Sequence, residues 1–121
     1  MAKILIIDDE APIRRMLSRL FERKGHKIAD AEDGNKGLKM AGEFHPDLII
    51  TDLLMPEKEG LETIKEIRQI NPGVKIIAIS GGGVVQPEMY LKLAEKVGAD
   101  LSFTKPVDSS TLLMAVDQLL G

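Results

Sequence analysis

Three short apolar runs, Ile4-Leu5-Ile6-Ile7, Leu48-Ile49-Ile50 and Ile76-Ile77-Ala78-Ile79, are unbroken, rich in β-branched residues and closed by polar ones. A strand with one wet face alternates in polarity; continuous runs of this length read instead as strands covered on both faces, as in a parallel sheet. Between them the period changes. Ile13, Met16, Leu17, Leu20 and Phe21 recur at the offsets that line one side of an amphipathic helix. Leu61, Ile64 and Ile67 repeat the pattern after the third strand, Tyr90, Leu93, Ala94 and Val97 after the fourth, and Leu112, Val116, Leu119 and Leu120 at the end. Lys27–Asp30 reads as a weaker strand, Lys36–Phe44 as a weaker helix, and Ala99–Thr104 as the fifth strand. Five such alternations, joined by right-handed crossovers, predict a doubly wound α/β fold built on a five-stranded parallel sheet.

Gly25, Gly34, Asn71-Pro72-Gly73 and Gly98 punctuate the elements as breakers and helix ends. No long linker remains, so residues 1–121 are expected to form one domain, a size that suits a single core. The charge of −3, from 19 acids against 16 bases without a basic block, argues against direct nucleic-acid binding. Cysteine is absent, which excludes disulfides and thiolate metal sites and suits a reducing compartment. The first apolar run is too short for a signal-peptide core or a membrane span. A cytoplasmic protein without membrane insertion is the expectation.

Open α/β sheets bind ligands outside the carboxyl ends of their strands. The residues expected there are Asp8 and Asp9 after strand one, Asp52 after strand three, Ser80 after strand four and Lys105 after strand five. Each alone has an ordinary reading. Acids ahead of Pro12 suit a helix start, Asp52 and Ser80 suit turns, and Lys105 suits a solvated strand end. Their convergence at one rim changes the balance, because neighbouring carboxylates repel unless a cation offsets them. Mg²⁺ takes oxygen ligands, one or two of them carboxylates, and makes Asp8, Asp9 and Asp52 an open metal site. The chemistry such a site serves is phosphoryl transfer, with Asp52 as nucleophile and with the Lys105 ammonium and Ser80 hydroxyl stabilising the transferring group.

The acidic pair in Ile7-Asp8-Asp9-Glu10, the segment Asp52-Leu53-Leu54-Met55-Pro56 with Gly60 beyond it, Ser80-Gly81 and Lys105-Pro106 together resemble the receiver domains of two-component response regulators, including the single-domain chemotaxis type. The resemblance spans the whole chain. It implies a flavodoxin-like strand order of 2-1-3-4-5 and a cis peptide at Lys105-Pro106. It implies that Asp52 accepts a phosphoryl group from a sensor histidine kinase or a histidine phosphotransfer protein. Asp8, Asp9, Asp52 and the Leu54 backbone carbonyl would hold Mg²⁺, Lys105 would pair with the phosphate, and the Ser80 hydroxyl would move to it. A downstream protein would then read the face made by the fourth helix, fifth strand and fifth helix, on a monomer or a phosphorylation-linked dimer.

The chain also departs from that pattern. Many receivers carry Tyr or Phe where Ser102 stands, and Phe103 next to it should point to the opposite face and pack in the core. Gly81-Gly82-Gly83 predicts a mobile loop after Ser80. Leu54 and Gly82 offer no side chain to orient an attacking water, which predicts slow loss of the phosphoryl group. His26 and His45 are expected to pack or face solvent, and Met40, Met55, Met89 and Met114 to fill core gaps or line packing surfaces. A phosphatase of the haloacid dehalogenase type needs a second Asp where Leu54 stands, and a flavodoxin-like cofactor binder is opposed by the charge of Asp8-Asp9-Glu10. A receiver-like interaction module without phosphorylation is the remaining alternative. The end of the chain after the fifth helix fits a stand-alone regulator or an excised receiver.

Overall fold

The computed structural model describes residues 1–53, 60–81 and 87–121. Strands β1 (Lys3–Ile7), β2 (Lys27–Ala31), β3 (Leu48–Asp52), β4 (Lys75–Ser80) and β5 (Leu101–Thr104) alternate with helices α1 (Ala11–Glu22), α2 (Gly34–Phe44), α3 (Gly60–Ile70), α4 (Pro87–Val97) and α5 (Ser109–Leu120). All pairings are parallel, in the order β2-β1-β3-β4-β5. Among the described residues no helix is long and apolar enough to cross a membrane.

Side chains alternate across a strand, so each continuous apolar run feeds two cores at once. Leu5, Ile7, Ile49, Ile76 and Ala78 pack with Ala41 of α2, Ile64 and Ile67 of α3, and Leu91 and Ala94 of α4. Ile4, Ile6, Leu48, Ile50, Ile77 and Ile79 pack with Leu17 and Phe21 of α1 and Leu112, Ala115 and Val116 of α5. Each fully buried Ile or Leu contributes ~1.5–3 kcal/mol by leaving water. A polar residue within these runs would forfeit that gain on whichever face it met.

Several boundaries differ from the sequence expectation, each for a local reason. β3 and β4 extend through Asp52 and Ser80, so these two residues end their strands instead of following them. α2 begins at Gly34 because the Asp33 side chain caps it, accepting from the Lys36 amide at 2.8 Å. Gly34 is therefore the first residue of a helix and no breaker. Gly25 and Gly98 do take positive φ, at 88° and 137°. The end of α2 instead falls at His45, left-handed at φ 54°, where glycine is usual. His26 packs against Phe21 and accepts a hydrogen bond from the Ala2 amide. Met40 packs on the core, whereas Met89 and Met114 are exposed and fill no gap. Met55 lies outside the described residues.

Candidate functional site

The ladder brings the carboxyl ends of β1, β3, β4 and β5 to one rim. Asp52 pairs with Ile79 at the last rung of β3 and β4, and the Leu53 amide donates both to the Ile79 carbonyl at 3.1 Å and to Asp52 Oδ1 at 2.8 Å. One carboxylate oxygen is thus pinned by backbone. The other, Oδ2, accepts from Lys105 Nζ at 3.2 Å. Asp8 is built the same way just after β1: Oδ1 accepts from the Glu10 amide at 2.9 Å and Oδ2 from Lys105 Nζ at 3.2 Å. Glu10 Oε2 is a third acceptor for that ammonium, at 3.3 Å.

Lys105 is tied to the end of β4 through its backbone. Its amide donates to the Ser80 carbonyl at 2.8 Å, and the Lys105-Pro106 peptide is cis, as the resemblance implied. Close approach at the rim also needs glycine. A Cβ on Gly60 would lie 2.5 Å from the Asp52 carbonyl oxygen, and one on Gly81 would lie 2.5 Å from Lys105 Cβ.

The Asp8 and Asp52 side chains are almost fully buried, with 6% and 7% exposure, while Glu10 at 58% faces solvent. Burial pushes the Asp8 carboxyl above its ordinary range; the Glu10 amide and Lys105 oppose this, and the Asp9 charge adds to it. Burial alone would lower Lys105, but the charges of Asp52 and Asp8 outweigh it and hold the ammonium well above its ordinary value. The Ser80 hydroxyl is buried at the same rim and has no hydrogen-bond partner among the described residues.

The structure therefore brings together Asp8, Asp52, Ser80 and Lys105 from four strand ends. Asp9 is exposed, and its carboxylate groups with those of Asp8 and Glu10, oxygens within 4.8 Å of one another. Such an all-oxygen acidic set suits a hard divalent cation of the Mg²⁺ kind. Leu54, Gly82 and Gly83 lie outside the described residues, as do the expectations resting on them: the backbone metal ligand, slow phosphoryl loss and the mobile loop. Glu10 is the site residue that sequence reasoning left without a role. It occupies the N-cap of α1 without making a side-chain capping bond, and its contact with Lys105 lies too far along the chain to be read from sequence.

Ser102 sits on β5 opposite Ala78, and its hydroxyl donates to the Glu95 carboxylate of α4. Phe103 is on the other face, half-buried against the α1 and α5 core, as the alternation requires.

Residues 4–117 match the family model of the response regulator receiver domain. The chain belongs to that family and is a phosphorylation-dependent signalling switch of two-component systems. It is 33% identical to chemotaxis protein CheY of Halobacterium salinarum over 121 residues, covering 99% of this chain and 98% of the relative. It is 35% identical to the chemotaxis protein CheY of Thermotoga maritima over 118 residues, 97% and 96% of the two chains. Among solved structures, a response regulator receiver domain protein from Clostridium thermocellum superposes with a TM-score of 0.90 at 33% identity, covering 98% of this chain and 94% of the other.

Proposed function

We propose that Asp52 carries the phosphoryl group and receives it from the phosphohistidine of a sensor histidine kinase or histidine phosphotransfer protein. The observation that carries this reading is the split role of the Asp52 carboxylate, with Oδ1 held by the Leu53 amide and Oδ2 facing Lys105 Nζ. An Asp52 oxygen attacks phosphorus, the phosphorus–nitrogen bond breaks, and the donor imidazole leaves with the bonding pair. Lys105 neutralises charge on the equatorial oxygens as they approach. The Ser80 hydroxyl, without a partner among the described residues, supplies a donor for one of them.

Asp8, Asp9 and Asp52, with the Leu54 carbonyl that the family resemblance implies, would hold Mg²⁺. When bound, the ion supplies charge neutralisation for the phosphoryl oxygens. The chain thereby catalyses its own phosphorylation and dephosphorylation, as a single cytoplasmic domain over residues 1–121, and the residue types at Leu54 and Gly82 make the loss slow.

Phosphorylation replaces the single negative charge of the Asp52 carboxylate with a phosphoryl group carrying roughly −1.5 to −2 at the end of β3. Repositioning of Ser80 then biases the α4–β5–α5 face, which a downstream protein reads, with a coupling of ~1–3 kcal/mol typical of such switches. The test is incubation with acetyl phosphate and Mg²⁺ followed by intact mass. A gain of one phosphoryl group, lost in Asp52→Asn, is expected. No gain in the unmodified chain would instead favour a phosphorylation-independent interaction module.

A further inference from the structure

Three carboxylates share the Lys105 ammonium, and they are not equivalent. Asp8 and Asp52 are buried, and each spends its second oxygen on a backbone amide, so neither can withdraw without losing that bond. Glu10 is exposed, and its only hydrogen bond from the side chain among the described residues is to Lys105, 95 residues away in the chain. It also stands where a helix start ordinarily carries Ser, Thr, Asp or Asn to cap the first amides. Its side chain makes no such cap, although the first turn of α1 contains no other acid to interact with the helix dipole. A position that departs from the local rule in favour of a distant ion pair points to a role at the site.

We infer that Glu10 is a positioning residue, the releasable counter-ion that holds Lys105 in the unphosphorylated state and must give it up when a phosphoryl group arrives on Asp52. The inference rests on the proposed role of Asp52. Lys105 then passes from Glu10 to the incoming phosphoryl oxygens while Asp8 stays in place, so the strength of the Glu10 contact sets how readily the ammonium is released. Removing Glu10 therefore favours the phosphoryl-bearing state instead of impairing it. A residue with a purely structural role at the start of α1 would have the opposite effect or none.

The experiment measures binding of beryllofluoride, a tetrahedral phosphoryl mimic, to the full chain at saturating Mg²⁺. Glu10→Gln is expected to bind it ~2–5-fold more tightly than the unmodified chain, the range of an exposed ion pair. Glu10→Asp keeps the charge, but its shorter side chain turns back onto the first amides of α1, so it too should bind more tightly. If Glu10→Asp behaves like the unmodified chain, the effect is one of charge alone and the inference is overturned. Unchanged or weaker binding by Glu10→Gln overturns it as well. Failure of the unmodified chain both to bind beryllofluoride and to be labelled by acetyl phosphate removes the role of Asp52, and this inference with it. Labelling of the unmodified chain with no gain in the variants removes this inference alone.

Discussion

Gly81 and Lys105 approach so closely that a single methyl group on the glycine would sit 2.5 Å from Lys105 Cβ and 3.1 Å from its backbone nitrogen. The contact involves the root of the lysine side chain, so rotation of its far end cannot relieve it. Gly81→Ala should displace the ammonium from Asp52 and slow labelling by acetyl phosphate ~10–100-fold, the scale of an ångström-sized misplacement in a catalytic cluster. Far-ultraviolet circular dichroism should stay unchanged, because the helices and the sheet do not depend on this contact.

Ser80 presents the reverse case. Its hydroxyl is buried without a partner among the described residues, a condition that costs ~1–3 kcal/mol. Ser80→Ala should therefore raise the midpoint of urea unfolding, while weakening the spectroscopic change that follows phosphorylation. A fall in that midpoint would show that the hydroxyl is already bonded in the unphosphorylated chain.

Gly37 lies in α2 against β1, and a Cβ there would meet Ile7 Cδ1 at 2.5 Å and Cγ1 at 2.9 Å. Alanine improves helix propensity by ~1 kcal/mol, but overpacking a core costs ~1–3 kcal/mol, so the packing effect wins. Gly37→Ala should destabilise the fold, and adding Ile7→Val, which removes Cδ1, should recover part of the loss. Denaturant titration of the four members of this cycle tests the coupling.

Lys105 has a pKa raised above the ordinary 10.5 by Asp52 and Asp8, against the effect of burial. A folded-state value above the unfolded one means that the native chain holds the proton more tightly. The stability so gained is fully present below the ordinary value and is lost as pH rises through the folded one. In a nuclear magnetic resonance titration of labelled lysine side chains, Lys105 should deprotonate above the ordinary value, and Asp52→Asn should lower it.

The five-fold alternation was legible because Ile4 to Ile7, Leu48 to Ile50 and Ile76 to Ile79 are buried on both faces, leaving hydrophobicity with no competing signal. Asp8, Asp52, Ser80 and Lys105 were legible for a related reason: each stands where an apolar run or its strand ends. The misread details depend on contacts distant in sequence or on side chains acting on backbone. Asp33 caps α2 and turns Gly34 into a helix residue, while His45 adopts a conformation that its residue type does not advertise. Met89 and Met114 lie at helical positions facing solvent, which composition does not separate from core methionine. Glu10 was visible as part of the acidic motif, but its partner lies 95 residues away and only three-dimensional placement reveals it.

Asp52 forms the final hydrogen-bonded step between β3 and β4, with Ile79 beside it and Leu53 tied to the same neighbour. Its carboxylate therefore inherits the stiffness of the innermost part of the molecule. Helix surfaces and loop tips are free to diversify toward new partners while this carboxylate stays where the sheet put it. Conversely, a slip of one residue in β3 would point that carboxylate to the opposite side of the sheet, away from Lys105, even if the chain remained folded.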